Sequence, residues 1–263
     1  MAPTQALRPT IVFIPGAWHT PATFDLLLPP LHAAGYPTTS VHLPSTGAVG
    51  PVKYAEDVSA IRKVVAGLVE MGQEVVVVAH SYGGCPSTDA VAGLGRKNRT
   101  LNLVGGVTQL IYIAGLVPTK GNCVAEALGA FGNDVPREKG GPWMEITDMG
   151  GGLTTIANPE QCFYHDLPPE LAKYHASLLR THYSPTSSES LEYEAYRDIP
   201  AAYIYCEDDR AFPLQRQKQV VEATGIRRTI SLKTSHFPFF SDPNAVAGFI
   251  RQLLEEPPWA NKL

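Results

Sequence analysis

The chain has 263 residues, of which 44% are hydrophobic and 17% charged, which is enough apolar material for one substantial buried core. Its formal net charge is −4 at pH 7. Because it also lacks basic runs, we expect neither nucleic acid nor an anionic membrane as a partner. The cysteines show no paired zinc-ligand spacing, so we expect no metal site and free, buried thiols.

The first ten residues are polar and interrupted by prolines, which is unlike a secretory signal peptide. No apolar run in the sequence is as long as a membrane-spanning helix, and the first one has only the length of a strand. We therefore expect a cytoplasmic protein. We also expect the protein to be a monomer or a homodimer.

Short apolar runs alternate along the chain with segments of helical periodicity. The runs predict strands at 10–15, 38–43, 74–78, 106–115, 201–206 and 228–233. Helices are predicted at 23–34, with a bend at two prolines, at 54–71, after Pro86, and after the last strand. Apolar residues of the 54–71 helix recur at helical spacing, so one of its faces should pack on the sheet.

Ser81 lies directly behind a buried strand. The motif Ala79-His80-Ser81-Tyr82-Gly83-Gly84 follows four consecutive valines and precedes a predicted helix. Small residues around the serine suit a sharp, strained turn from strand to helix, which is the layout of a nucleophile elbow. The alternative interpretation is that Ser81 only caps the helix.

An acid and a histidine follow in the two late strand-end loops. The strand at 201–206 leads into Glu207-Asp208-Asp209-Arg210, and the strand at 228–233 leads into Ser235-His236-Phe237. Open α/β sheets bind ligands at the carboxyl edge of their strands. The order serine, acid, histidine is also the order found in enzymes with a nucleophile elbow.

Four segments together resemble the α/β-hydrolase superfamily: residues 13–19, the Ser81 elbow, the loop at 206–213, and residues 235–239. The resemblance is greatest to the branch of plant methyl esterases, hydroxynitrile lyases and bacterial pyrethroid-type esterases. It implies an α/β fold with a mostly parallel central sheet flanked by helices. It also implies a hydrolase core at 1–117 and 199–263, with a helical lid at 118–198 inserted before the last two strands.

The same resemblance implies roles for individual residues. Ser81 would be the nucleophile, His236 its base, and Asp209 the acid that orients the histidine, with Asp208 remaining an alternative. The backbone N–H groups of Ala17 and Tyr82 fit the oxyanion hole. The resemblance implies no cofactor.

Aromatic residues around these positions suggest an apolar pocket for a small, apolar or aromatic ester or lactone. The candidate substrate-contacting residues are Gly16, Trp18, His19, Trp143, Phe163, Tyr164 and Phe237. For the phenylalanines after His236, ordinary core packing is the competing interpretation.

Two other activities remain open on the sequence. One is non-hydrolytic chemistry, such as carbon–carbon bond cleavage with the same triad, and the other is a slow-turnover ligand receptor. Hydroxynitrile lyases have a lysine and a threonine where this chain has Phe237 and Gly16, so that lyase activity is not expected. Relatives that displace halides or open epoxides carry an aspartate in place of Ser81.

Overall fold

The computed structural model describes residues 8–96, 105–129 and 144–256. The strands in this part are β1 Thr10–Ile14, β2 Thr38–Ser40, β3 Glu74–His80, β4 Gly106–Ile113, β5 Ile146–Gly150, β6 Leu153–Ile156, β7 His182–Tyr183, β8 Ala201–Cys206 and β9 Arg228–Leu232. The α-helices are α1 Leu28–Ala33, α2 Tyr54–Glu70, α3 Gly84–Ala90, α4 Val124–Gly129, α5 Pro159–Phe163, α6 Pro169–Ser177, α7 Leu214–Thr224, α8 Pro238–Ser241 and α9 Pro243–Glu255.

A six-stranded parallel sheet lies at the centre, in the order β2-β1-β3-β4-β8-β9. The four valines of β3 are fully buried, as expected for a strand covered on both faces. Branched side chains of this kind pack well on a pleated surface. The predicted α/β fold with a mostly parallel sheet is thus confirmed, and each of the six predicted strands has its counterpart.

Helix α2 confirms the prediction at 54–71 and buries Ile61, Val65 and Val69 on one face. Its first turn is capped by Glu56, whose Oε1 accepts from the Lys53 amide at 2.9 Å. Helix α9 buries an equivalent apolar stripe and is capped by Asp242, which accepts from the Ala245 amide at 2.9 Å.

Two predicted elements differ from the structure by more than one or two residues at an end. Residues 23–34 form a 3₁₀ helix at Pro21–Leu27 followed by α1, because the proline pair occupies the start of α1 rather than bending one continuous helix. Strand β2 ends at Ser40 instead of Leu43, although the Val41 amide still donates to the Phe13 carbonyl at 3.0 Å.

The segment between β4 and β8 was predicted to be a helical lid. In its described part, helices α4, α5 and α6 accompany a three-stranded antiparallel sheet, in the order β5-β6-β7, that the sequence did not indicate. The lid role and the domain boundaries at 118–198 remain predictions.

All four cysteines are buried and free, as expected. None of the helices among the described residues combines the length and the apolar character that crossing a membrane requires.

Candidate active site

Ser81 lies in a strained turn at the carboxyl end of β3. Its φ angle is +51°, a left-handed conformation that residues other than glycine rarely adopt. The small residues after it are required by packing, since a Cβ atom on Gly83 would lie 2.4 Å from the Pro15 carbonyl oxygen. A Cβ atom on Gly84 would lie 2.9 Å from the Leu116 carbonyl oxygen. The elbow therefore packs closely against the residues that follow β1 and β4.

The structure brings Ser81, His236 and Asp209 into one hydrogen-bonded chain. Ser81 Oγ is 3.0 Å from His236 Nε2, and His236 Nδ1 is 2.5 Å from Asp209 Oδ2. His236 and Asp209 are only 3% and 5% exposed. Asp208 is exposed, and its amide donates to the Thr234 carbonyl, so it is Asp209 that contacts the histidine.

The carboxylate of Asp209 is held from several directions. Its Oδ1 atom accepts from the amides of Ala211 and Phe212, each at 2.8 Å. Gln217 on α7 donates from Nε2 to Oδ2 at 3.3 Å and to the Phe212 carbonyl at 2.7 Å. Hydrogen bonds of this kind fix the orientation of a carboxylate. The sequence analysis missed Gln217, which no motif distinguishes.

The loop that carries His236 is also anchored on both sides. The Ser235 amide donates to Asp166 Oδ2 at 2.8 Å, and Ser241 Oγ donates to the same oxygen at 2.6 Å. His80 Nε2 donates to the His236 carbonyl oxygen at 2.9 Å, so the side chain of His80 binds this loop rather than Ser81. Burial lowers the pKa of His80 well below its usual value, which keeps its ring neutral. Asp166 was not identified from the sequence.

The turn after β1 lies beside the nucleophile. A Cβ atom on Gly16 would be 2.9 Å from Ser81 Cβ, so only glycine allows this approach. Trp18 has a φ angle of +64°. On the other side of Ser81, Tyr82 donates from its hydroxyl to Asp57 Oδ2 at 2.7 Å. These contacts hold the elbow and the turn with Ala17 side by side; the oxyanion role of the Ala17 and Tyr82 amides remains a prediction.

His19 connects this turn to the segment between β4 and β8. Its Nδ1 donates to the Ala17 carbonyl at 2.7 Å, so Nε2 accepts from the Tyr164 hydroxyl at 2.6 Å. Burial, opposed by the hydrogen bond to the Ala17 carbonyl and assisted by the nearby His236, lowers the pKa of His19 to about 3. The ring is therefore a neutral link between the two chain segments.

Aromatic side chains surround His236, the histidine that hydrogen-bonds to both Ser81 and Asp209. Phe163 stacks on His236 with ring centroids 5.6 Å apart, and it also contacts Trp18 at 6.2 Å. Phe237 is enclosed by His19, at 4.1 Å, and by other rings, which matches the core-packing interpretation. Trp143 lies outside the described residues.

The hydrogen-bonded side chains of Ser81, His236 and Asp209 can move a proton from a serine hydroxyl to an imidazole that a carboxylate orients. They can thereby generate an oxygen nucleophile in a nearly buried, apolar environment. Among the residues that the structure describes, no group of three or more metal-ligating side chains occurs.

Comparison with known proteins identifies the family. The model of the alpha/beta hydrolase family matches residues 11–249. The chain belongs to the alpha/beta hydrolase family. It is 30% identical over 254 residues to a probable hydrolase of a Phoma species, covering 94% of this chain and 98% of the relative. It is 21% identical over 264 residues to Methylesterase 1 of Arabidopsis thaliana, covering 93% and 95%.

A solved structure of a pyrethroid hydrolase from Sphingobium faniae has the same fold, with a TM-score of 0.72 at 20% identity. The match covers 95% of this chain and 98% of that one. These similarities confirm the predicted branch of the alpha/beta hydrolase family.

Proposed function

We propose that this alpha/beta hydrolase cleaves a carboxylic ester or lactone through an acyl-enzyme at Ser81. The observation that carries the proposal is the hydrogen-bonded chain from Ser81 through His236 to the buried Asp209, which begins on a strained elbow. A serine hydroxyl is a weak nucleophile by itself and needs a base within hydrogen-bond reach.

In the first half of the reaction, Ser81 Oγ attacks the carbonyl carbon while its proton moves to His236 Nε2. The amides of Ala17 and Tyr82 donate to the oxyanion that develops. The bond to the alcohol oxygen then breaks, and His236 returns the proton to that oxygen. In the second half, His236 takes a proton from water while the water oxygen attacks the acyl carbon. The bond between that carbon and Ser81 Oγ then breaks, and His236 returns the proton to Ser81 Oγ as the acid leaves. Asp209 stays ionised and stabilises the imidazolium in both halves.

The substrate class rests on the surroundings of His236. Phe163, which stacks on His236, and Trp18, which contacts Phe163, supply apolar surface near His236, and burial leaves His19 and His80 neutral. A neutral, apolar or aromatic ester suits such surroundings better than a charged one, because burying an unpaired charge is costly.

The proposal is tested by trapping the acyl group. The enzyme is mixed with p-nitrophenyl butyrate, quenched in acid during the first turnovers, digested and mapped by mass spectrometry. We expect a butyryl group on the peptide that contains Ser81, and loss of both the adduct and the turnover in Ser81→Ala. Undiminished turnover in a folded Ser81→Ala variant would overturn the proposal.

A further inference from the structure

Tyr82 directly follows the proposed nucleophile, and its buried phenol is attached to a buried carboxylate. The side chain of Tyr82 is 2% exposed, and its hydroxyl donates to Asp57 Oδ2 at 2.7 Å. Asp57 lies in the first turn of α2 and is fully buried. Its other oxygen, Oδ1, accepts from the Ser45 amide at 2.9 Å. The carboxylate of Asp57 therefore connects α2 and the chain after β2 to the elbow.

This carboxylate depends on hydrogen bonds rather than on a countercharge. Among the described residues, no basic side chain forms an ion pair with Asp57. Burial raises the pKa of Asp57, and the hydrogen bonds from Ser45 and Tyr82 oppose that change. Burial and the adjacent carboxyl raise the pKa of Tyr82 well above its usual value, so the phenol keeps its proton and is the donor. Because an apolar pair of the same shape would pack here at little or no cost, the polar pair indicates a role beyond packing.

The peptide unit between Ser81 and Tyr82 is fixed at its carbonyl as well. The Ser81 carbonyl oxygen accepts from the Leu116 amide at 2.9 Å. In a planar trans peptide the C=O and N–H groups point in opposite directions, and no cis peptide bond occurs in the described part of the chain. The Tyr82 N–H group therefore points away from Leu116. Its direction is constrained by the Leu116 amide on one side and by the phenol of Tyr82 on the other.

The direction of this N–H group matters for the proposed reaction. Ser81 has a φ angle of +51°, and a strained backbone of this kind persists only where its surroundings enforce it. A donor of an oxyanion hole must lie about 2.7–3.1 Å from the position that the oxyanion will occupy. Release of the Tyr82 side chain would let the turn relax and would move the amide out of that range.

A second phenol–carboxylate pair joins the same region of α2 to α3, farther along the chain from Ser81. Tyr54, the first residue of α2, donates from its hydroxyl to Asp89 Oδ2 at 2.8 Å. Asp89 lies near the end of α3 rather than in the elbow. Loss of the Tyr54 hydroxyl should therefore weaken the packing of the two helices without turning the peptide after Ser81. This pair supplies a matched comparison.

We propose that Asp57 is a positioning residue for the oxyanion hole: through the Tyr82 hydroxyl, it holds the peptide after Ser81 so that the Tyr82 amide can donate to the developing oxyanion. This inference rests on the proposed hydrolysis at Ser81 and adds a residue of α2 to that site. Because Asp57 acts through an amide that serves the transition state, its loss should lower kcat more than it changes KM.

The test compares Tyr82→Phe with Tyr54→Phe, since each variant loses one phenol hydroxyl and keeps its ring. The first readout is kcat and KM for p-nitrophenyl butyrate. The second is the affinity for trifluoromethyl propyl ketone. Ser81 Oγ bonds to the carbonyl carbon of this ketone, the serine proton moves to His236, and the carbonyl oxygen becomes an oxyanion. The affinity for the ketone therefore reports on the oxyanion hole directly.

We expect Tyr82→Phe to lower kcat and the ketone affinity together by about tenfold or more, which is part of the roughly 10²–10³-fold loss caused by removing an oxyanion donor. KM should stay within about twofold of the wild type. Tyr54→Phe should keep the wild-type kcat and ketone affinity, although it should unfold at a lower urea concentration than the wild type.

Asp57→Ala breaks the same hydrogen bond from its other end. The losses in kcat and ketone affinity should resemble those of Tyr82→Phe, and they should not add in the double variant, because both substitutions remove one link. Additive losses would overturn the proposal that Asp57 acts through the Tyr82 hydroxyl.

The two phenylalanine variants decide the matter even if Asp57→Ala does not fold. Wild-type kcat and ketone affinity in a folded Tyr82→Phe variant would overturn the proposal, and so would equal losses in Tyr54→Phe. Failure of the proposed function has a different signature: the wild type itself neither cleaves p-nitrophenyl butyrate nor binds the ketone.

Discussion

The parallel sheet and the segment between β4 and β8 contribute to the candidate site in different ways. In the sheet, Ser81, Asp209 and His236 follow the carboxyl ends of β3, β8 and β9. Strands β3 and β8 are almost wholly buried, and β9, at the edge of the sheet, is partly exposed. In the intervening segment, every residue of β5 is exposed. That segment reaches the site through single polar contacts and a few rings.

The parallel sheet and the segment between β4 and β8 therefore have separate roles. Contacts made by the sheet hold the reacting groups, while the intervening segment attaches through the Tyr164 hydroxyl on His19 and through Asp166 on the Ser235 amide. Substitutions of the reacting groups held by the sheet should therefore abolish ester hydrolysis. Changes in the attachments should alter rate and selectivity by smaller factors.

The largest effect is expected at Asp209, the acid that hydrogen-bonds to His236. Asp209→Asn should reduce kcat for p-nitrophenyl butyrate by about 10⁴-fold, because an amide favours the wrong tautomer of His236 and does not stabilise the imidazolium. The matched control is Asp208→Asn, which changes an exposed neighbour and should stay within about twofold of the wild type. Equal losses in the two variants would contradict the assignment of Asp209.

A steric change at the turn after β1 should have the next largest effect. Gly16→Ala places a Cβ atom 2.9 Å from Ser81 Cβ and 3.2 Å from His80 Nδ1, which displaces the nucleophile or the Ala17 amide. We expect kcat to fall by about 10²–10³-fold, the usual cost of losing an oxyanion donor. Gly67→Ala on α2 is the control; its Cβ atom meets nothing within 4 Å, so activity should not change. Wild-type kcat in Gly16→Ala would show that the turn tolerates the displacement.

The buried histidines predict that acid destabilises the fold. His19 and His182 have pKa values lowered to about 3 by burial, whereas in the unfolded chain they bind protons below about pH 6.5. The unfolded state therefore binds more protons between these values, and stability falls as the pH falls through 6.5. Between pH 7 and pH 5, each of these imidazoles should cost on the order of 2 kcal/mol.

Urea unfolding of the wild type and His182→Phe at pH 7 and pH 5 measures this cost. The variant should lose less stability than the wild type on acidification, by about that amount, while His32→Phe, at an exposed position, should keep the wild-type difference. Parallel losses in the wild type and His182→Phe would mean that His182 is protonated in the folded state.

The smallest effect is expected at an attachment of the intervening segment. Tyr164→Phe removes the hydroxyl that donates to His19 Nε2 and leaves the buried acceptor without a partner. If the lost hydrogen bond weakens transition-state stabilisation by about 1 kcal/mol, kcat/KM should decrease by a few-fold to tenfold. Tyr174→Phe changes an exposed tyrosine on α6 and serves as the control. If Tyr164→Phe lost as much activity as Asp209→Asn, the separation between the two regions would be wrong.

The sequence was most informative where the strands are buried. Four valines before a serine between small residues predicted β3 and the turn after it, and the order of the later loops placed Asp209 and His236 at the same sheet edge. The sequence left Asp208 as an alternative because the residue types are identical. Only the fold reveals that the amides of Ala211 and Phe212 point at Asp209.

The intervening segment was predicted less well because its strands lack an apolar pattern. Strand β5 ends at Gly150, and Gly151 and Gly152 connect it to β6; all three glycines have positive φ angles. The contacts of Asp166 and Gln217 join residues far apart in the chain or on different elements, and no local pattern encodes them.

The measurement that tests the central claim most directly is labelling with a fluorophosphonate, read as intact mass, on the wild type and Ser81→Ala with p-nitrophenyl butyrate turnover alongside. We predict a single adduct and turnover in the wild type, and the loss of both in a folded Ser81→Ala variant. Labelling that persists in Ser81→Ala, or a wild type that neither reacts with the probe nor cleaves the ester, would contradict the assignment of Ser81 as the nucleophile.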